Sequence, residues 1–131
     1  MPLLAVIVGG LVGTGLRLGI DALLPHADDR FPWSTLIINV VGAFVLGFLV
    51  ARVWPSAPDW LRAGLGVGLL GSFTTFSAIA VSLVALADAG EWVTAVGYLV
   101  VTVAAGLLAA WAGLALAGPS RRTHEEIGAD E

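Results

Sequence analysis

The chain is 131 residues long, 58% hydrophobic and 12% charged, with a formal net charge of −4 and a mean hydropathy of +0.95. That balance lies outside soluble globular domains and reads as a membrane protein. The absence of cysteine excludes disulfides, thiolate metal sites and cysteine nucleophiles, and no basic patch that could track phosphates is present for nucleic acid.

Four apolar stretches, residues 3–24, 34–53, 60–87 and 92–117, are each near or above the ~20 residues that cross the hydrocarbon core. They predict an all-α, four-helix transmembrane domain over residues 1–118. The remaining residues, 119–131, form a polar tail whose composition reads as disorder. Short connections ("PHADDRFP", "WPSAPD", "DAGE") leave no room for an extramembrane enzyme domain.

The first stretch lacks a basic n-region and carries Arg17, so it reads as a retained helix rather than a signal peptide. Arg17 either snorkels to the interface or holds a buried positive charge that attracts an anion. "GGLVG" at residues 9–13 and "GLGVG" at 64–68 are small-residue runs that permit close helix approach. His26 in the first connection and His124 in the tail have no ligand-spaced partners, which argues against a metal site at either.

In the second stretch Thr35 and Asn39 stand one helical turn apart, as do Tyr98 and Thr102 in the fourth. Each pair can line a narrow polar path or serve as interhelical hydrogen bonding. An amide is harder to satisfy within its own helix than a hydroxyl, which sets Asn39 apart.

The third stretch carries "GSFTTFSAIAVS" at residues 71–82. The eleven residues from 60 to 70 rise about 16 Å, half of the ~30 Å core, so this segment lies near the midplane. Gly71 permits unwinding, and Ser72, Thr74, Thr75 and Ser77 can take up the freed backbone groups. A broken helix of this kind presents carbonyls suited to a cation and N–H groups suited to an anion. Phe73 and Phe76 bring positive ring edges that can face an anion weakly, or serve as filler beside the kink.

No acid lies deep in any span, because Asp21 and Asp88 fall near helix ends. A proton-coupled exporter would therefore lack its carboxylate, and the donors around Asn39 point to an anion or a neutral solute. No nucleophile and base pair is visible for an enzyme. Arg52, Arg62, Arg121 and Arg122 share the side of the termini, against Arg30 on the other, so the positive-inside rule places both termini in the cytoplasm.

"GGLVGTGLR", "STLIINVVGAF", "GLLGSFTTFSA" and "YLVVT", in that order across nearly the whole chain, resemble the Fluc/CrcB family of bacterial fluoride channels. The resemblance implies passive fluoride export across the bacterial plasma membrane by an antiparallel, dual-topology-type dimer of four-helix subunits. Two narrow pores would lie near the interface, with one structural sodium ion at its centre. By position, Asn39 is similar to the pore asparagine, Thr35 to the hydroxyl one turn before it, and Phe76 to the first phenylalanine of an aromatic box. Ser77 completes the TTFS segment beside the pore, Tyr98 and Thr102 match a polar track, and Arg17 matches the helix-one arginine. Gly71 and Thr74 match the positions whose backbone carbonyls hold sodium.

The chain departs from the family pattern where a second phenylalanine is expected: it reads Ala78 and Ile79. A serine of the fourth-helix track is replaced by small residues around Gly106, and a polar position one turn after the box reads Ser82. Some family members pair with a second, different chain, and the arginine bias fits such a heterodimer as well as the departures do. The alternatives to a self-sufficient channel are a half-pore structural subunit of a heterodimer and, more remotely, a small proton-coupled exporter.

Overall fold

A computed structural model describes residues 1–25 and 27–118. His26 and the tail, with Arg121, Arg122 and His124, lie outside the described residues. The described residues form helices and turns with no strand. Helix α1 spans Pro2–Leu23 and α2 spans Trp33–Arg52. The third crossing is composite: α3, Asp59–Arg62; a π-helical stretch, Ala63–Leu70; α4, Gly71–Phe73; and α5, Phe76–Asp88. Helix α6, Trp92–Ala117, completes the bundle.

Four units are long and apolar enough to cross a membrane: Pro2–Leu23, Trp33–Arg52, Asp59–Asp88 and Trp92–Ala117. The protein is therefore a multi-pass, all-helical membrane protein, as its composition requires. A third of the apolar window of α2 is enclosed by the chain against 6% for α1, so α2 forms the interior wall and α1 a lipid-facing one.

Close backbone approach holds the bundle together, since lipid supplies no hydrophobic drive between helices. On α2 and α6, a Cβ on Gly47 would meet the Ala110 carbonyl oxygen, and one on Gly113 would meet that of Phe44. The two small-residue runs noted in the sequence face each other. Gly9 abuts the Gly64 carbonyl, Gly13 abuts that of Leu69, and a Cβ on Gly68 would lie 2.7 Å from the Val6 carbonyl oxygen. The π-helical stretch coincides with this contact, where bare glycines let α1 pack against carbonyls.

A small core of Leu36, Leu86, Ala95 and Tyr98 lies between α2, α5 and α6, with Phe31, Val40, Ile79 and Leu83 packed around it. The Phe31 ring meets Tyr98 edge-on, with centroids 5.3 Å apart. Gly90, at φ +79°, closes α5: its N–H donates to the Ala87 carbonyl (3.0 Å) and that of Glu91 to the Leu86 carbonyl (2.8 Å). This Schellman turn reverses the chain within four residues and brings α6 back against α2 and α5.

Candidate functional site: a clamped helix break

The third crossing opens at Thr74 and Thr75, whose backbones are extended at φ −78°, ψ 152° and φ −148°, ψ 120°. Gly71 keeps helical dihedrals, φ −63° and ψ −30°. The break therefore falls three residues beyond the glycine that the sequence singles out, for a reason that lies on another helix. Asn39 of α2 accepts from the Thr75 N–H at its Oδ1 (2.8 Å) and donates from Nδ2 to the Thr75 carbonyl (3.0 Å). One amide thus satisfies both backbone groups of the unwound residue, which in hydrocarbon would otherwise cost several kcal/mol each, on the order of the penalty for an unpaired polar group.

Local hydroxyls do the rest. Thr75 is the N-cap of α5, its Oγ1 accepting from the Ala78 N–H (3.1 Å) and lying 3.0 Å from the Ser77 hydroxyl. Thr74 Oγ1 donates to the Leu70 carbonyl (2.8 Å). These substitutions have a consequence for two carbonyls. In a continuous helix the Thr75 N–H would bond the Gly71 carbonyl and the Ala78 N–H that of Thr74. Both donors are diverted, to Asn39 and to Thr75 Oγ1. The carbonyls of Gly71 and Thr74 are released from helical bonding, and both residues line one open groove of about 700 Å³ beside Asn39, Leu70 and Gly42. Neutral backbone carbonyls of this kind fit a hard monovalent cation, while the described residues hold no cluster of side-chain metal ligands.

On the other side of the break, Arg17 of α1 lines a recess of about 340 Å³ with Thr35, Thr75 and Ser77. Three hydroxyls and a guanidinium from α1, α2 and the break therefore converge. Thr35 is buried, Arg17 half-buried and Ser77 exposed. The recess and the groove lie on either side of α2 residues 35–42, so the Thr35 and Asn39 pair serves two spaces rather than one.

Tyr98 and Thr102 are buried together on α6, with the Tyr98 hydroxyl beside those of Thr102, Ser82 and Thr35. Neither Tyr98 nor Thr102 has a hydrogen-bond partner for its hydroxyl among the described residues. Buried hydroxyls in that condition are free to donate to something small that enters between them. Phe76 stands apart: it is 83% exposed and is in neither ring pair found among the described residues, so a single chain builds no aromatic box there. Ile79 turns inward and packs against the core that contains Tyr98.

The sequence missed the clamp on Thr75 and the role of Asn39 in it. The signal was present in its residue type, since an amide carries its donor and acceptor on separate atoms about as far apart as the N–H and C=O of one extended residue require. What lies 36 positions away in sequence could not be read locally.

Residues 4–114 match the model of the CrcB-like protein, Camphor Resistance (CrcB) family. The chain belongs to the CrcB family. Within that family it is 42% identical over 115 residues to a protein of Cutibacterium acnes named fluoride-specific ion channel FluC 1, covering 84% of this chain and 80% of the relative. It is 38% identical to fluoride-specific ion channel FluC 2 of Geobacillus kaustophilus, covering 93% and 97%. It is 43% identical to fluoride-specific ion channel FluC of Pseudomonas putida, covering 86% and 93%. The family match, residues 4–114, reaches all four crossings of this CrcB chain, break included, so it concerns the whole membrane domain and not one motif.

Proposed function

We propose that the chain is a subunit of a fluoride-selective channel that exports fluoride passively from the bacterial cytoplasm. The observation that carries the reading is the break itself: a mid-membrane opening flanked by a guanidinium, amide and hydroxyl donors, with no carboxylate lining the recess other than Asp21 at its outer end. The names of relatives that align over most of their length support the same reading. Fluoride is small and strongly hydrated, and only closely spaced donors can replace its water. Thr35 and Ser77 in the recess and Tyr98 and Thr102 beyond it offer hydroxyls, Asn39 offers the one Nδ2 hydrogen that its bond to the Thr75 carbonyl leaves over, Arg17 supplies attraction, and the ring edge of Phe76 offers contact without trapping.

The functional unit is an antiparallel dimer. Phe76, 83% exposed at the break, faces away from its own chain and becomes part of a pore wall when a second subunit covers it. The Gly71 and Thr74 carbonyls would hold a sodium ion at the centre of that interface, where the ion's charge balances carbonyl dipoles that no helix satisfies. The arginine excess on the side of the termini favours termini in the cytoplasm but does not impose it, and an antiparallel pair made of this chain alone requires copies in both orientations.

Efflux from liposomes loaded with fluoride and containing only this chain, followed with a fluoride electrode, tests the reading. Rapid release insensitive to chloride is expected, and Asn39→Asp is expected to abolish it while leaving dimers intact. No release from a verified dimer overturns conduction by the chain alone.

The inward packing of Ile79 against the Tyr98 core supports a second reading, in which the chain supplies walls and the cation site to a partner that carries the second ring. Under that reading the isolated chain is silent and Ile79→Phe, or co-reconstitution with a related subunit, restores flux.

A further inference from the structure

The recess at Arg17 contains one residue that the pore reading leaves unused. Asp21 lies one helical turn beyond Arg17 on α1 and lines the same space of about 340 Å³ as Thr35, Thr75 and Ser77. These two are the charged side chains among the residues lining it; the others, Leu18, Ile38, Ala78 and Val81, are apolar.

Stability does not account for the carboxylate. Asp21 sits in the last turn of α1, where the helix dipole favours cations and disfavours an acid. The order Arg then Asp at i and i+4 is also the weaker arrangement for a helical ion pair, so the guanidinium is not locked by its neighbour. Asp21 is exposed while Arg17 is half-buried. The cation therefore sits deeper, toward the hydroxyls of the break, and the anion outside it, at the mouth.

We infer that Asp21 is the counter-charge of the Arg17 recess and limits how tightly that recess holds an arriving anion. Its place at the mouth cancels the formal charge of the recess, so an anion is drawn in by the guanidinium over a short range and repelled by the carboxylate on approach. Weak capture favours passage, because an anion held by an unopposed arginine would leave slowly. The inference rests on the anion reading above and adds a residue that sets affinity rather than forming the pore wall.

Fluoride titration of the purified full chain in detergent, followed by 19F line broadening at low ionic strength, measures the capture directly and needs no conduction. Asp21→Asn is expected to tighten apparent fluoride binding about three- to tenfold, the scale of one unit charge acting across a helical turn between an exposed carboxylate and a half-buried recess. Asp21→Glu, which keeps the charge, is expected to restore the weaker binding. Arg17→Gln, which removes the attracting charge, is expected to weaken apparent fluoride binding with either Asp or Asn at position 21. Raising the salt to about 0.1 M, where the Debye length is about 10 Å, is expected to shrink the difference. Unchanged binding in Asp21→Asn, an Asp21→Glu variant that behaves like Asp21→Asn, or binding that Arg17→Gln leaves unchanged would each overturn the inference. Liposome efflux reads the other question separately: no efflux with the Asp21→Asn shift intact rejects conduction by this chain and retains the counter-charge.

Discussion

Asn39 gives the break its shape by holding both polar groups of the Thr75 peptide, at 2.8 and 3.0 Å. Asn39→Ala leaves that N–H and C=O unpaired in a low-dielectric setting and should destabilise the chain by about 2–6 kcal/mol, the sum of two orphaned groups. Thermal unfolding in detergent measures the loss, and faster hydrogen exchange at the Thr75 amide locates it. Asn39→Asp keeps the acceptor for the Thr75 N–H but sets a carboxylate against the Thr75 carbonyl, so its loss of flux is read as loss of a pore donor only where thermal unfolding and dimer formation match those of the parent chain. The same residue-scale logic applies to the cap. Thr75→Ala removes the acceptor for the Ala78 N–H and should cost about 1 kcal/mol, recovered by Thr75→Ser.

At the scale of elements, contact between helices is decided by glycines that face backbone. Alanine at Gly13 or Gly113 drives a Cβ into the Leu69 or Phe44 carbonyl and must push the helices apart. Each should lower stability by about 1–3 kcal/mol, as overpacking does. Gly19 and Gly106, with nothing within 4 Å of a built Cβ, are the matched controls. Alanine there should leave unfolding unchanged or raise it by up to about 1 kcal/mol through helix propensity. The sequence marked the small-residue runs 9–13 and 64–68 as surfaces of close approach, and spacing alone was enough for that. It gave no sign that residues 63–70 would wind as a π-helix, or that the break would fall at Thr74 and Thr75 instead of Gly71. Unwinding occurs where a partner satisfies the freed backbone, and that partner is on α2.

Across the whole molecule, the single chain leaves its functional surfaces uncovered. Phe76 is exposed, the groove beside Gly71 and Thr74 is open, and the buried Tyr98 and Thr102 hydroxyls lack partners among the described residues. A second subunit is the element that would turn these half-surfaces into enclosed paths. Its orientation depends on charge at the helix ends. Arg52→Gln combined with Arg62→Gln removes half of the arginines on the side of the termini and should lower the share of copies that insert with their termini inside. A C-terminal reporter that is active on only one side of the membrane reads that ratio.

Hydropathy and spacing along the chain were enough to establish the solvent, the number of crossings and the polar residues that require an explanation. Those follow from hydropathy, length and the cost of a polar group in lipid, all of which are local properties of the chain. The tertiary structure decided how those residues are employed. It gave Asn39 to the Thr75 peptide, freed the Gly71 and Thr74 carbonyls, set Arg17 and Asp21 in one recess, and turned Ile79 inward while leaving Phe76 outside. Each of these depends on which helix faces which at a given depth, a relation set by backbone contact between glycines far apart in sequence and carried by no residue alone.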